Sequence, residues 1–177
     1  PSFGYNAADE LSSDKAREEY GLPEKDDLLP PQDDPYGRST LLFVDDADLT
    51  RFEAILSTEP DQIAIAPGYL QKEWMENDRK FYHYKMDSKI QFFFNFVSAR
   101  FELKEDFWID PQGDTVKIQL FYQKGHDYNL DRFIGSAKHS LEYFTNYFGP
   151  YQHQQIRFLE FPRYAGFAQS FPNTVPY

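Results

Sequence analysis

A chain of 177 residues is long enough for one hydrophobic core, or for one domain with the opening elements of a second. Aromatic residues make up 19% of it, Phe and Tyr far ahead of Trp, which rules out a disordered chain because such side chains dominate cores and interfaces. A net charge of −11 with no offsetting basic stripe argues against binding a nucleic acid or an anionic membrane surface. There is no cysteine, so neither a disulfide framework nor a Cys-based zinc site can form.

The first 34 residues carry ten acidic side chains against Lys15, Arg17 and Lys25 and account for −7 of the charge. Within them, residues 12–20 (SSDKAREEY) predict a short, solvated helix with a Ser cap, stopped by Gly21 and Pro23. Residues 23–37 combine four prolines with many acids and read as a loop or linker. Strand-like stretches follow at 40–44, 49–57, 61–66, 80–86 and 90–103; DQIAIAPG reads as a strand closed by a Pro-Gly turn. In 90–97, Ile90, Phe92, Phe94 and Phe96 share one face at a period of two. A half-buried strand is predicted where Val116, Ile118, Leu120 and Tyr122 alternate with Lys117, Gln119 and Gln123.

The strongest periodic signal lies at 130–148, where Leu130, Phe133, Ile134, Ala137, Leu141, Phe144 and Phe148 form one apolar helical stripe. Asn129 is placed to cap this helix, and Gly149 and Pro150 to end it. A strand is expected over 155–161. The last sixteen residues read as irregular and rich in aromatics and proline, covering either a partner surface or this chain's own core.

Chemistry is sparse. The four histidines, His83, His126, His139 and His153, form no His-Glu-x-x-His pair of ligands, and His139 with Glu142 falls short of the three protein ligands zinc takes in a catalytic site. No nucleophile elbow and no Gly-rich phosphate loop is present. No apolar run approaches the roughly 18 to 20 residues of a membrane-spanning helix, and the first residues lack the regions of a signal peptide. The chain therefore reads as soluble, and its start at Pro1 and end at Tyr177 read as a piece of a longer protein.

Several stretches in shared order are similar to the gluzincin zinc aminopeptidases of the aminopeptidase N type, especially bacterial members fused to membrane transporter-like segments. They are PSFGYNAADEL, STEPDQIAIAPGYLQKEW, RKFYHYKMDSKIQFFFNFVSARFEL and HDYNLDRFIGSAKHSLEYFTNYFGPYQHQQIRFLEFPRYAGFAQSFPNTVPY. In that family a β-rich saddle domain packs against a thermolysin-like catalytic domain. The resemblance implies an α+β, mainly β fold: residues 1–125 as the saddle-like domain, and 126–177 as the start of the catalytic domain, with helix 129–148, strand 155–161 and a cleft loop at 162–177. FPNTVPY resembles the approach to the family's Gly-x-Met-Glu-Asn exopeptidase motif. The motif itself is absent, its glutamate would fall just beyond Tyr177, and every zinc ligand and the general base are missing.

The implied role is that of a non-catalytic fragment of a zinc metallo-aminopeptidase, a scaffold for the substrate cleft. Zinc would belong to the full-length protein, the partners would be the rest of the catalytic domain and a peptide substrate, and the parent would be membrane-associated. Gln169, Asn173 and Tyr177 are the implied substrate contacts; for Gln169 and Asn173, ordinary loop capping is an equal reading. The rival reading is a protein- or glycan-binding module, favoured by surface aromatics and disfavoured by burial of Phe92, Phe94 and Phe96. A third is a small enzyme complete in itself.

Overall fold

A computed structural model describes residues 13–23, 33–35, 49–162 and 169–177. The chain divides into two compact units, Pro1–Ala47 and Asp48–Tyr177. The expected strand at 40–44, the stretch PSFGYNAADEL and most of the acidic, proline-rich loop lie outside the described residues.

In the first unit, helix α1 (Asp14–Glu19) buries no side chain. Ser13 precedes it in extended backbone but makes no side-chain cap. Gly21 takes the left-handed conformation (φ 65°), which lets the Leu22 and Gly21 N–H groups return to the carbonyls of Arg17 and Glu18.

The second unit is mainly β with one long helix. Its elements are β1 (Glu53–Thr58), β2 (Ile63–Ile65), β3 (Tyr69–Glu76), β4 (Arg79–Lys85), β5 (Val97–Ala99), β6 (Phe101–Ile109), β7 (Thr115–Gln123), α2 (Leu130–Phe148), β8 (Gln155–Leu159) and β9 (Thr174–Pro176). They build a three-stranded sheet in the order β1-β4-β3, a two-stranded ladder β2-β5 and a four-stranded sheet β6-β7-β8-β9.

β3 was not expected from sequence. Its residues YLQKEWME do not alternate cleanly, yet Asn77 and Asp78 (φ 48° and 58°) close a two-residue hairpin into β4, the turn that matches the twist of paired strands. The expected strand over 90–103 is broken. Ile90 pairs with Thr50 as a lone bridge, and strand geometry resumes only at Val97. Between them the phenylalanines gather instead of lying along a ribbon. Phe94 meets Phe52 edge-on at 4.9 Å, and Phe92 and Phe96 meet Phe94 at 5.4 and 5.7 Å. Edge-to-face pairs contribute about 0.5–1.5 kcal/mol each, enough to outweigh the strand preference of a short run.

The four-stranded sheet holds the architecture that matters most. β6 and β7 are antiparallel, whereas β8 and β9 run parallel to β7. Parallel neighbours need a long crossover, and α2 supplies it between β7 and β8. One sheet face packs on the helix: Val116, Ile118 and Leu120 meet Ile134, Ala137 and Leu141, with Ile156 and Phe158 of β8 beside them. Only the first part of the expected stripe is covered, since Phe144 and Phe148 are 57% and 77% exposed. The expected cap also differs. Asn129 stands at the N-cap position, but in left-handed backbone (φ 62°) its side chain makes no capping bond. Capping by the side chain needs extended backbone there. The stop falls as expected at Gly149 (φ 124°).

Candidate functional site

The opposite face of the four-stranded sheet carries Lys117, Gln119 and Phe121 of β7, in register with Gln155, Arg157 and Leu159 of β8. It lines a cleft of about 340 Å³, whose other wall comes from Tyr69 and Glu73 of β3 and Lys80, Tyr82 and Tyr84 of β4. Arg157 is 2% exposed. The two hydrogens of its Nη2 are shared among Ala66 O (2.5 Å), Asn173 Oδ1 (2.8 Å) and Thr174 Oγ1 (3.0 Å), and its guanidinium lies 5.4 Å from the Tyr84 ring centre. Burial pulls its pKa down to about 10, the tyrosines at 69, 84 and 151 opposing the fall. Gln155, also buried, reaches Gly68 O at 2.8 Å.

This network fixes the end of the chain. Asn173 is 3% exposed and in left-handed backbone (φ 47°), its carbonyl accepting from Arg157 N at 2.9 Å and its Nδ2 lying 3.5 Å from Met86 Sδ. Tyr177 donates its N–H to Leu159 O (2.8 Å) and packs its ring on Phe133 at 4.8 Å. Burial pushes the Tyr177 hydroxyl up to about 12, Glu160 and Tyr128 adding to the rise, so it remains a donor at neutral pH. Gln169 is half-buried and bonds to Ser170 O at 3.1 Å. Of the three residues expected to meet substrate, the structure therefore buries Asn173, leaves Tyr177 41% exposed and partly exposes Gln169. The described part of the tail packs within the second unit, as Phe171 stacks on Phe93 at 5.0 Å.

Replacing Arg157 by Met sets two effects against each other. It removes a charge whose burial costs on the order of 3 kcal/mol, given the fall in pKa. It also strips the two Nη2 hydrogens from the acceptors that share them, at about 1–3 kcal/mol per bond lost. The second effect wins, and Arg157→Met is expected to cost about 2 kcal/mol, read as a lowered Tm.

The histidines are scattered. His83 lies 2.7 Å from Glu53, His126 bonds to Glu160, His139 is exposed on α2, and His153 stands against Tyr151 with its pKa lowered by burial. Among the described residues no three His, Cys, Asp or Glu side chains come together to hold a metal ion, so these residues do not fit a zinc site. No helix among them is long and apolar enough to cross a membrane.

A second hollow, of about 980 Å³, runs along α2 on the helix side of the sheet. Phe133, Leu141, Phe144, Phe148, Ile156 and Phe158 give it an apolar floor.

A mainly β, α+β unit in which a helix crosses between parallel strands, with no metal-ligand cluster among its described residues, is the class defined by these features. Sequence comparison matches no family model and no curated protein. Solved structures do match. A Deinococcus radiodurans M1 zinc metallopeptidase is similar at a TM-score of 0.65 and 16% identity over 75% of this chain. Crystals of the same enzyme with a Tyr-Ser-Ala substrate give 0.61. Legionella pneumophila aminopeptidase A, in complex with aspartic acid, gives 0.65 at 12% identity over 73% of this chain. At such identities the likeness is one of fold. The chain spans 29–32% of the length of the Deinococcus enzyme and 16% of the Legionella one.

Proposed function

We propose that this chain is a non-catalytic segment of a zinc metallo-aminopeptidase, lying before the zinc-binding helix and scaffolding one side of the substrate cleft. The observation that carries the reading is the fold likeness to M1 zinc metallopeptidases across about three quarters of the chain. The sequence stretches that resemble aminopeptidase N relatives support it independently. Residues 1–125 belong to the saddle-like domain in this reading and 126–177 to the catalytic domain, with zinc and general base supplied by polypeptide beyond these residues. The apolar hollow along α2 is the surface on which that polypeptide packs, which accounts for the exposure of Phe144 and Phe148. Fusion to a membrane transporter-like segment rests on the sequence resemblance alone.

Gln169 and Tyr177 then face the substrate, while the buried Asn173 holds the loop beneath them. In a longer, active protein that contains this chain, Tyr177→Phe keeps the ring on Phe133 and deletes only the hydroxyl. Loss of one hydrogen bond of about 1 kcal/mol predicts a KM raised about five-fold with kcat little changed. An unchanged KM would remove Tyr177 from the cleft.

One observation favours the rival. Phe92 and Phe96 are 61% and 53% exposed, whereas Phe94 packs into the Phe52 cluster. A protein- or glycan-binding surface would use such rings, and mutating both to Ser without loss of any binding partner would dispose of it.

A further inference from the structure

We propose that the cleft between the three-stranded and four-stranded sheets binds a carboxylate on a flat apolar body, with the Arg157 guanidinium as its anchor. This does not depend on the peptidase reading. Every acceptor that Arg157 meets is neutral: a backbone carbonyl, an amide oxygen and a hydroxyl. Its Nε has no hydrogen-bond partner, and no carboxylate among the described residues is paired with it. Buried guanidinium groups are normally matched by an anion, because desolvating an unmatched charge is costly.

The surroundings specify the anion further. Lys80 and Lys117 also line the cleft, but each already has a carboxylate, Glu73 at 3.5 Å and Glu105 at 2.7 Å. One positive charge is thus left unmatched, which suits a monoanion better than a phosphate dianion. With Nη2 already engaged, the unpartnered Nε–H is the donor left for a single charge-assisted hydrogen bond to a carboxylate oxygen. One part of the wall is apolar. Tyr82 and Tyr84 spend their hydroxyls on Gln62 O and Ala64 O, each at 2.9 Å, and so offer ring faces, with Leu70 and Phe121 beside them. An aryl carboxylate fits such a space, about 340 Å³, better than a bare ion.

The test titrates the 177-residue chain with benzoate and with the isosteric, uncharged benzamide, following backbone amide shifts of Gln155, Arg157 and Leu159. Saturable benzoate binding, at least about ten-fold tighter than benzamide, is expected. Because an Arg157 variant loses stability, the control is Leu70→Trp. Leu70 is 46% exposed at the cleft, so Trp fills the space while far-UV circular dichroism stays unchanged. Binding should vanish in that variant. No saturation up to about 20 mM, equal affinity for benzamide, or full binding by L70W would each overturn the assignment. The same titration on a longer protein containing the chain separates two sources of the carboxylate. Retained binding there means a free acid is the ligand. Binding lost there, but present in the short chain, means an Asp or Glu of the longer protein occupies the cleft.

Discussion

Leu141→Asp is expected to leave the second unit largely unfolded, with the cooperative urea transition lost or shifted by at least about 4 kcal/mol. Leu141 is 6% exposed and shares a cluster with Val116, Ile118, Leu120, Ile134 and Ala137. Truncating such a side chain alone costs about 2–5 kcal/mol, and a carboxylate put in its place has no partner there. Total stability is typically about 5–15 kcal/mol, so one substitution consumes much of it. Phe133→Asp acts on the same interface, since Phe133 lies between Phe158 (5.0 Å) and Tyr177 (4.8 Å), and is expected to cost somewhat less because that ring is half-buried. Phe144→Asp, about one turn beyond Leu141 and 57% exposed, should change stability by less than about 1 kcal/mol. The contrast reads out which part of the apolar stripe is docked. A Leu141→Asp protein with an unshifted transition would mean that α2 does not pack on the sheet.

A second large effect is expected at Gly68. Gly68 and Gly113 have the same φ of +93°, so Ala at either position meets the same backbone strain, about 1–2 kcal/mol. Their surroundings differ. A Cβ at Gly113 meets nothing within 4 Å, whereas at Gly68 it would lie 2.5 Å from the Lys85 carbonyl carbon and 2.8 Å from Met86 N. Those are backbone atoms of the adjoining strand and cannot rotate away. Gly68 O also accepts from buried Gln155, so any shift loosens the contact between the two sheets. Gly68→Ala should therefore cost about 3 kcal/mol or more, including about 1–3 for the collision, against about 1 for Gly113→Ala. Equal losses at the two glycines, measured by thermal denaturation, would refute the close approach of the strands.

What the chain reveals before folding follows from how local each signal is. The helix over 130–148 was legible end to end, because seven apolar residues at helical spacing, with Gly149 and Pro150 after them, repeat one message. β7 was legible through its alternation at 116–122. β3 was obscured by its charged residues, though Asn77-Asp78 marks the hairpin that makes it. The run at 90–97 misled because period two also arises when aromatic rings cluster around a residue, here Phe52, that lies far away in sequence.

The Arg157 network was hidden for a different reason. In Gln155-Ile156-Arg157-Phe158-Leu159 the polar residues alternate with apolar ones, which reads as a strand with one wet face. Only the approach of β3 and β4 covers that face and turns Arg157 into a buried charge. Of the expected substrate contacts, Asn173 was a notable residue in sequence, but what makes it so is left-handed backbone and a buried bond to Arg157, which only the fold supplies.

The most direct test of the central claim is zinc content and aminoacyl-arylamide hydrolysis, measured on the 177-residue chain beside a longer protein extending it by about 150 residues, a domain-sized addition. Stoichiometric zinc and hydrolysis in the longer protein, with neither in the short chain, is the result this account predicts. Hydrolysis by the short chain, or zinc-free inactivity of both, would contradict it.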